Sequence, residues 1–405
     1  MNPAFQPTRE EGLARLRAFV PRAGIAYAKS RNLDRGPGDR SNVSLLSPFL
    51  RHRLIGEDEV VRAVLSKHPI SAADKFVQEV CWRTYWKGWL EQRPRVWSDF
   101  LSELTQAQAN AQDDSDIARG YERAINGETG IAAFDAWARE LTESGYLHNH
   151  ARMWFASVWI FTLKLPWTLG ADFFYRHLLD GDAASNTLSW RWVAGLHTRG
   201  KHYVARAENI RQFTEGRLDP AGELDEVPEP LDGPEPPAPT RLRPPMSVTH
   251  EEDVVLLVQE DDLTPERWPV AAERVKGVVL LPPDGSYPGL SSAVLAFRAG
   301  AMDDTAARAR VAFGAPVVLS LAKPSPDEAV ALCRAHGVEK LVTVQVPVGP
   351  ARATYESFVA ELAGSGVAAV EVRRDWDSAF WPYARAGFFK VKERIPETLE
   401  RLGLL

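Results

Sequence analysis

The chain has 405 residues, of which 45% are hydrophobic, and a formal net charge of −6 at pH 7. This length fits two domains of ordinary size, each able to bury a core. The two cysteines are distant in sequence, which excludes a disulfide framework and an iron–sulfur cluster with four cysteine ligands. No apolar run approaches the length of a membrane span and no signal-peptide pattern opens the chain, so we expect a cytoplasmic protein.

Charge is distributed unevenly along the sequence. Through Thr214 there are 28 Lys and Arg residues against 24 Asp and Glu, whereas the remainder has 20 against 30. Only the first part therefore offers phosphates an attractive field, and its small excess is weak support for nucleic-acid binding by itself.

The first half of the chain predicts an all-α domain, which we assign to residues 1–214. Apolar residues recur at helical spacing with few β-branched runs, in segments 76–90, 130–144, 149–165 and 171–179. Residues 215–250 follow and are rich in proline and acidic side chains, a composition that prevents a regular helix or sheet. We therefore predict an extended, semi-rigid linker there.

Residues 251–405 predict a doubly wound α/β domain of the Rossmann-like type, built on a parallel sheet. Short apolar runs alternate with helical patterns, the runs at 254–258, 277–281, 316–321, 340–346 and 367–372 and the helices at 326–336 and 352–362. No Gly-x-Gly-x-x-Gly sequence follows the first strand and no P-loop sequence occurs, so a packing or docking role is favoured for this domain.

Three sequence motifs in the helical half stand out. They are SNVSLLSPFL at 41–50, QEVCWRTYW at 78–86, and GYLHNHARMW at 145–154 with LLDGDAASNTLSWRW at 178–192. Ten of the thirteen tryptophans also lie in this half, although a large aromatic side chain taken alone is most simply a packing residue. An isolated DGD triplet is usually a turn, so the information lies in the order of the motifs.

In this order the motifs resemble the FAD-binding helical domain of the photolyase/cryptochrome family, over residues 27–211. The resemblance implies an all-α fold and a bound FAD. It assigns the cofactor contacts to Tyr27, Ser44, Leu46, Ser47, Arg83, Asn149, Arg152, Asp180, Gly181, Asp182 and Asn186.

Physical chemistry supports the parts of this set. Ser44 and Ser47 offer hydroxyls beside a proline that can open a helix, whose N-terminus attracts pyrophosphate; an ordinary helix cap is the alternative. Arg152 and Asp180 are expected to form a bidentate pair beside the flavin, or else a structural salt bridge. The carboxamide of Asn186 would face flavin N5, where it can donate or accept.

The resemblance also implies a pocket for a cyclobutane pyrimidine dimer in DNA. Two aromatic walls replace the stacking that flipped bases lose, and a carboxyl group bonds the thymine edge. The matching positions are Glu79, Trp82, Asn149, His150, Met153 and Trp192, with His150 standing where the family usually has an arginine. A basic rim is predicted to bind the DNA phosphates through Arg93, Arg95, Arg191, Arg199 and Lys201.

For photoreduction, Trp190 and Trp167 match the inner and middle electron-transfer tryptophans of the family, while Asp114 stands at the outer position. Trp154, Trp159 or Trp137 would have to replace the missing residue, unless each simply fills the core. The family places its α/β antenna domain first, whereas the α/β pattern here comes second, and no antenna pigment can be inferred.

Two principal functions remain open at this stage. One is a monomeric, photolyase-like lyase that repairs dimers in DNA, and the other is a cryptochrome-like blue-light receptor that signals to a protein partner. The retained pocket favours the enzyme. His150, the missing outer tryptophan and the acidic second half favour the receptor, and a flavoprotein that holds FAD structurally is a third reading.

Overall fold

A computed structural model describes residues 5–249, 251–282, 287–314, 317–321 and 325–405. The first part of the chain is helical. Its helices are α1 Arg9–Phe19, α2 Ile25–Ser30, α3 Ser47–Arg51, α4 Glu57–Leu65, α5 Ile70–Glu91, α6 Arg95–Asp113, α7 Ser115–Asn126, α8 Ala132–Ser144, α9 Asn149–Ser157, α10 Trp167–His177, α11 Ala183–Ala194 and α12 Ala207–Phe213. A π-helical turn, Val158–Thr162, continues α9.

Local sequence explains where the principal helices begin and end. Helix α5 follows Pro69 and ends at Glu91. Two residues separate this end from Pro94, whose ring cannot continue a helix. The carboxylate of Asp182 caps α11 by accepting a hydrogen bond from the backbone N–H of Ser185 at 2.7 Å. Helix α11 ends at Gly195, whose φ of 84° requires a residue without a Cβ.

The second part alternates strands and helices, as the sequence predicts. It consists of β1 Val254–Val258, β2 Val275–Leu280, α13 Ser292–Ala312, β3 Val317–Ser320, α14 Asp327–Ala335, β4 Lys340–Val344, α15 Pro350–Glu361, β5 Ala368–Val372, α16 Asp375–Phe380, α17 Phe389–Lys392 and α18 Ile395–Arg401. All pairings are parallel and the strand order is β3-β2-β1-β4-β5, an order typical of doubly wound sheets. Pro316, which the sequence assigns to the third strand, lies outside the described residues.

The segment between the two parts is extended and bonded to both. Residues 215–249 form no helix or strand. The backbone N–H of Thr240 donates to the carbonyl of Gln92 at 2.8 Å, and that of Met246 donates to the carbonyl of Glu371 at 3.0 Å. The predicted linker therefore runs along the surface of the molecule as a strap.

The helical part and the sheet share one hydrophobic core. Val254, Leu256 and Val258 of β1 belong to the cluster that contains the helical interior. The alternate residues Val255 and Leu257 point to the other face, which α14 and α15 cover. The division into two domains remains a prediction: one face of the sheet packs into the core of the helical part, and the other face forms a smaller core of its own. Within the described residues, no helix has the length and apolar character needed to cross a bilayer.

Candidate functional site

The predicted site residues meet in one cavity of about 570 Å³, a size suited to a cofactor. Helices α5, α9 and α11 surround it, together with the loop before α3. Trp167 does not line it. The predicted residues that do are Tyr27, Ser44, Leu46, Ser47, Glu79, Trp82, Arg83, Asn149, His150, Arg152, Met153, Asp180, Gly181, Asp182, Asn186, Trp190 and Trp192.

The inner end of the cavity carries a buried ion-pair network around Asp180. A guanidinium nitrogen of Arg152 donates to its Oδ2 at 3.0 Å, and Arg83 lies 3.6 Å from the same oxygen. Burial alone would raise the pKa of Asp180, but the two guanidinium groups hold it below its usual value. The bidentate pair expected from the sequence is wrong, because Nε of Arg152 donates to the carbonyl of Leu147.

A second carboxylate, Asp182, connects this network to the sheet. Burial opposes its charge, but Lys87 and Arg83, 3.6 and 3.5 Å away, hold its pKa well below its usual value. Lys87 lies 4.0 Å from Asp261, which follows β1. Arg51 joins the two parts directly, since it donates to the carbonyl of Gly181 at 2.7 Å and to the carboxylate of Asp261.

The outer end of the cavity is more open and carries Glu79, whose side chain is 32% exposed. Arg31, at the end of α2, donates to this carboxylate at 2.5 Å. Burial raises the pKa of Glu79, although Arg31 and Lys75 act against the shift. A carboxyl with a raised pKa keeps its proton to higher pH and can donate a hydrogen bond.

The two predicted aromatic walls are each supported from behind. The ring of Trp82 stacks on Phe388 with centroids 3.8 Å apart and planes at 13°. Phe388 does not line the cavity, so it backs the Trp82 ring. Trp192 stacks on Tyr203, with centroids 5.7 Å apart.

His150 occupies a position set by packing. Its ring stacks on Trp154 with centroids 4.2 Å apart, and Nδ1 lies 3.1 Å from the carbonyl of Asn32. Burial lowers the pKa of His150 and lowers that of His148 to about 4, so both are neutral near pH 7. His150 therefore contributes shape to the cavity, which Arg31 also lines.

The polar atoms of the inner end fit the cofactor that the motifs imply. Among the described residues, Asp180 Oδ1 and Ser185 Oγ are buried without a hydrogen-bond partner in the chain. Buried polar groups are normally paired, so these atoms suit a polar ligand such as the pyrimidine edge of a flavin. Asn186 donates through its amide nitrogen to the carbonyl of Ala171 at 2.7 Å, which leaves its amide oxygen for the cavity.

The helix predicted to attract pyrophosphate is a single turn. Helix α3 has five residues, and Oγ of Ser44 accepts from the backbone N–H of Leu46 at 3.4 Å. The serines line the cavity, but so short a helix has little dipole of its own.

The predicted basic rim is wrong for two of its members. Arg93 is buried and donates to the carbonyls of Pro237 and Arg385, while Arg191 is buried with its guanidinium 5.8 Å from the Trp167 ring centre. The other three, Arg95, Arg199 and Lys201, are exposed. Arg199 pairs with two carboxylates of the strap, Asp232 and Glu235.

Sequence reasoning missed Arg31, Lys87, Asp261 and Phe388. Helical spacing could have found two of them, because Arg31 follows Tyr27 by four residues and Lys87 follows Arg83 by four. Asp261 and Phe388 lie far away in the chain, and no local pattern marks them.

Comparison with known proteins agrees with the geometry. Residues 76–226 match the family model described as the FAD-binding domain of DNA photolyase. A deoxyribodipyrimidine photo-lyase of Streptomyces griseus is 31% identical over 203 residues, 47% of this chain and 43% of that protein. One from Thermus thermophilus is 32% identical over 226 residues, 54% of this chain and 50% of that protein.

Among solved structures, a class III photolyase from Agrobacterium tumefaciens matches with a TM-score of 0.44 and 27% identity. The match covers 51% of this chain and 43% of that one. The chain thus spans about half the length of the curated relatives it matches. Residues 76–226 of the chain are therefore similar to the FAD-binding domain of DNA photolyase.

Proposed function

We propose that this protein is an FAD-dependent photolyase that splits cyclobutane pyrimidine dimers in DNA under blue light. The proposal rests on one observation: the ion-pair network around Asp180 and the aromatic residues Trp82 and Trp192 line the same cavity. FAD, when bound, supplies the light-driven electron. The chain supplies everything that positions the dimer.

Binding of FAD would use the inner end of the cavity. Asp180 and Ser185 carry the unpartnered buried atoms, and Arg152 fixes the carboxylate of Asp180. Asn186 presents its amide oxygen, which would accept a hydrogen bond from an N–H group of the ring. The ion pairs of Asp180 with Arg152 and Arg83 exist without the cofactor, so this carboxylate would be in place before the cofactor arrives.

Binding of the dimer would use the outer end. A flipped pair of thymines would lie between Trp82 and Trp192, with Glu79 at the thymine edge as hydrogen-bond partner and Arg31 as the adjacent cation. Asn149 and Met153 line the same cavity and complete the wall. Arg31 would take the part of the arginine that the family usually has where this chain has His150.

The test is light-dependent repair by the whole protein. The protein is loaded with FAD, reduced with dithionite and mixed with an oligonucleotide containing one thymine dimer, and the dimer is quantified by chromatography. We expect its loss under blue light and its persistence in the dark. Dimer that persists in the light, with reduced FAD bound and the oligonucleotide in excess, contradicts the proposal.

A second candidate is a cryptochrome-like receptor, and the corrected basic rim favours it. Arg93 and Arg191 are buried, and Arg95 and Arg199 pair with carboxylates of the chain, so little of the predicted rim is free to contact phosphates. Binding of dimer-containing DNA should weaken as salt rises if the enzyme reading is right, because each neutralised phosphate releases counterions. Light-driven reduction of FAD without any DNA binding at low salt supports the receptor.

A further inference from the structure

We infer that DNA phosphates are bound by a segment of the second half, residues 385–394, and in particular by its residues Arg385 and Lys392. We call these ten residues, RAGFFKVKER, the basic segment. The inference rests on the proposed function, because it concerns where the DNA that carries the dimer is held. The basic segment lies outside residues 76–226, which match the FAD-binding domain of DNA photolyase.

The basic segment lies along α5 and runs in the opposite direction. The carbonyl of Arg385 accepts a hydrogen bond from Arg93 at 2.7 Å, just beyond the last residue of α5. The ring of Phe388 stacks on Trp82, near the middle of the helix. Lys392 borders a groove together with side chains from the first two turns of α5. Arg385 and Lys392 therefore lie on opposite sides of the Trp82 wall.

The length of this path suits a DNA backbone. The stretch of α5 from Val77, which borders the groove, to Glu91, where the helix ends, is about 21 Å long at 1.5 Å per residue. Each base pair advances a DNA duplex by about 3.4 Å, so this stretch corresponds to about six base pairs. A dimer occupies two adjacent nucleotides. The two cations are thus spaced to contact phosphates on both sides of it.

The charge of the basic segment is opposite to that of the half to which it belongs. After Thr214 the chain has 20 Lys and Arg residues against 30 Asp and Glu. The basic segment has one acidic residue, Glu393, and four basic ones, Arg385, Lys390, Lys392 and Arg394. The fold therefore brings a local excess of positive charge beside the cavity wall, where it can attract a polyanion.

Two of the four basic residues are available to a phosphate. Lys390 and Arg394 each pair with a glutamate three residues later, at 3.2 and 2.8 Å. Within the part of the chain that the structure describes, Arg385 and Lys392 form no ion pair. Arg385 is exposed and Lys392 is half-buried, so solvent and ligands can reach both.

Arg385 also lies close to a second guanidinium group. Burial lowers the pKa of Arg93, and the positive charge of Arg385 acts in the same direction. Arg93 donates its hydrogen bonds to carbonyl groups, and among the described residues no carboxylate pairs with either guanidinium. An anion bound at Arg385 would relieve this repulsion between like charges.

Two carboxylates border the groove beside Lys392, and both have other partners. Asp74 accepts a hydrogen bond from the side chain of Gln78 at 2.6 Å, and Glu393 belongs to one of the ion pairs described above. The nearest described group to the ammonium of Lys392 is the exposed ring of Phe389, whose centre lies 6.0 Å from Nζ. A phosphate oxygen would therefore give Lys392 a charged partner.

The experiment measures DNA binding by the FAD-loaded full chain in the dark. A fluorescein-labelled duplex with one thymine dimer, and the same duplex without it, are titrated by fluorescence anisotropy at salt concentrations from about 50 to 200 mM. Arg385→Gln and Lys392→Gln should each reduce the slope of log K against log salt by about 0.9, and the double variant by about 1.8. The reduction should be equal for the two duplexes, because phosphate contacts carry no information about the bases.

The matched control is the double variant Arg310→Gln, Arg334→Gln. These exposed arginines lie in the last turns of α13 and α14, at the amino edge of the sheet, whereas α5 approaches the sheet at its carboxyl edge through Lys87 and Asp261. The control removes the same charge and should keep the wild-type slope. Far-UV circular dichroism and FAD content establish that each variant folds.

The outcomes separate this inference from the proposed function. A wild-type slope in the Arg385→Gln, Lys392→Gln variant, or an equal reduction in the control, overturns the inference, while repair of dimers by the wild type leaves the proposed function intact. Absence of DNA binding by the wild type at low salt contradicts the proposed function itself, together with the inference that rests on it.

Discussion

The two ends of the cavity are built on different principles. At the inner end, the carboxylates of Asp180 and Asp182 are almost fully buried and each contacts two cations. At the outer end, Glu79 and Arg31 form one half-exposed pair beside stacked aromatic rings. A buried network has to be complete for the chain to fold, whereas a half-exposed pair can exchange partners. The inner end is thus suited to a resident cofactor and the outer end to a transient substrate.

The largest effect is expected from breaking the inner network. Asp180→Asn leaves the guanidinium groups of Arg152 and Arg83 with too little negative charge in a buried site. Breaking a buried pair typically destabilises a protein by about 3–5 kcal/mol. We expect a lower Tm and loss of FAD on gel filtration. Asp116→Asn, on an exposed carboxylate paired with Arg119, is the matched control and should change neither.

The corresponding change at the outer end should spare the cofactor. Glu79→Ala removes one hydrogen bond to the dimer, so the repair rate should fall about tenfold, equivalent to about 1.4 kcal/mol. FAD content and Tm should stay near wild type, as they should in Asp74→Ala, a control on the same helix. Loss of FAD in Glu79→Ala would show that the two ends are not separable.

A smaller loss of repair is expected from changing Phe388, whose ring stacks on Trp82. Phe388→Ala removes the ring that backs Trp82, and an aromatic pair contributes about 0.5–1.5 kcal/mol. The repair rate should fall roughly threefold through weaker dimer binding. Phe389→Ala changes the neighbouring ring, which is 74% exposed, and should have no effect. Tighter dimer binding by Phe388→Ala would mean that Phe388 competes with the dimer.

The smallest expected effect is a change in the affinity for the dimer with pH. Because burial raises the pKa of Glu79, its carboxyl stays protonated at pH values above the ordinary Glu pKa of about 4.3 and loses its proton as pH rises through the raised value. The hydrogen-bond donor is present below that pKa and lost above it, so dimer affinity should decline with rising pH. Glu79→Gln keeps a donor at all pH values, and its affinity should be flat. Equal pH profiles would exclude this role for Glu79.

Sequence patterns predicted lining residues at both ends of the cavity, but not all the residues that pair with or stack on them. Order and spacing of motifs identified Asp180, Asp182 and Asn186 because all three are fixed by the loop before α11 and its first turn. Helical periodicity and the strand pattern likewise predicted four helical segments of the first half and the five strands of the second, but not the long helix α13. Contacts between the halves could not be predicted, since Phe388 reaches Trp82 across 306 positions of sequence.

The number of positive residues in the sequence also could not predict which of them form the basic rim, and the reason is physical. A run of positive residues does not reveal which guanidinium groups are buried. Arg93 lies over the face of Trp89, 4.2 Å from its centre, and the strap covers it through Pro237. Burial of this kind depends on the tertiary path of residues 215–249, which their composition leaves undetermined.

The shared ion pairs also set an order of events during synthesis. Arg51 and Arg53 emerge from the ribosome early, long before their partners Asp261 and Asp377. Burying an unpaired guanidinium is strongly unfavourable, so the nascent helical half should keep this region hydrated. Arg51 also donates a hydrogen bond to the carbonyl of Gly181, in the loop before α11. That loop should therefore reach its final shape only after β1 has been synthesised. Capture of FAD on the ribosome would then report that translation has passed well beyond the helical half.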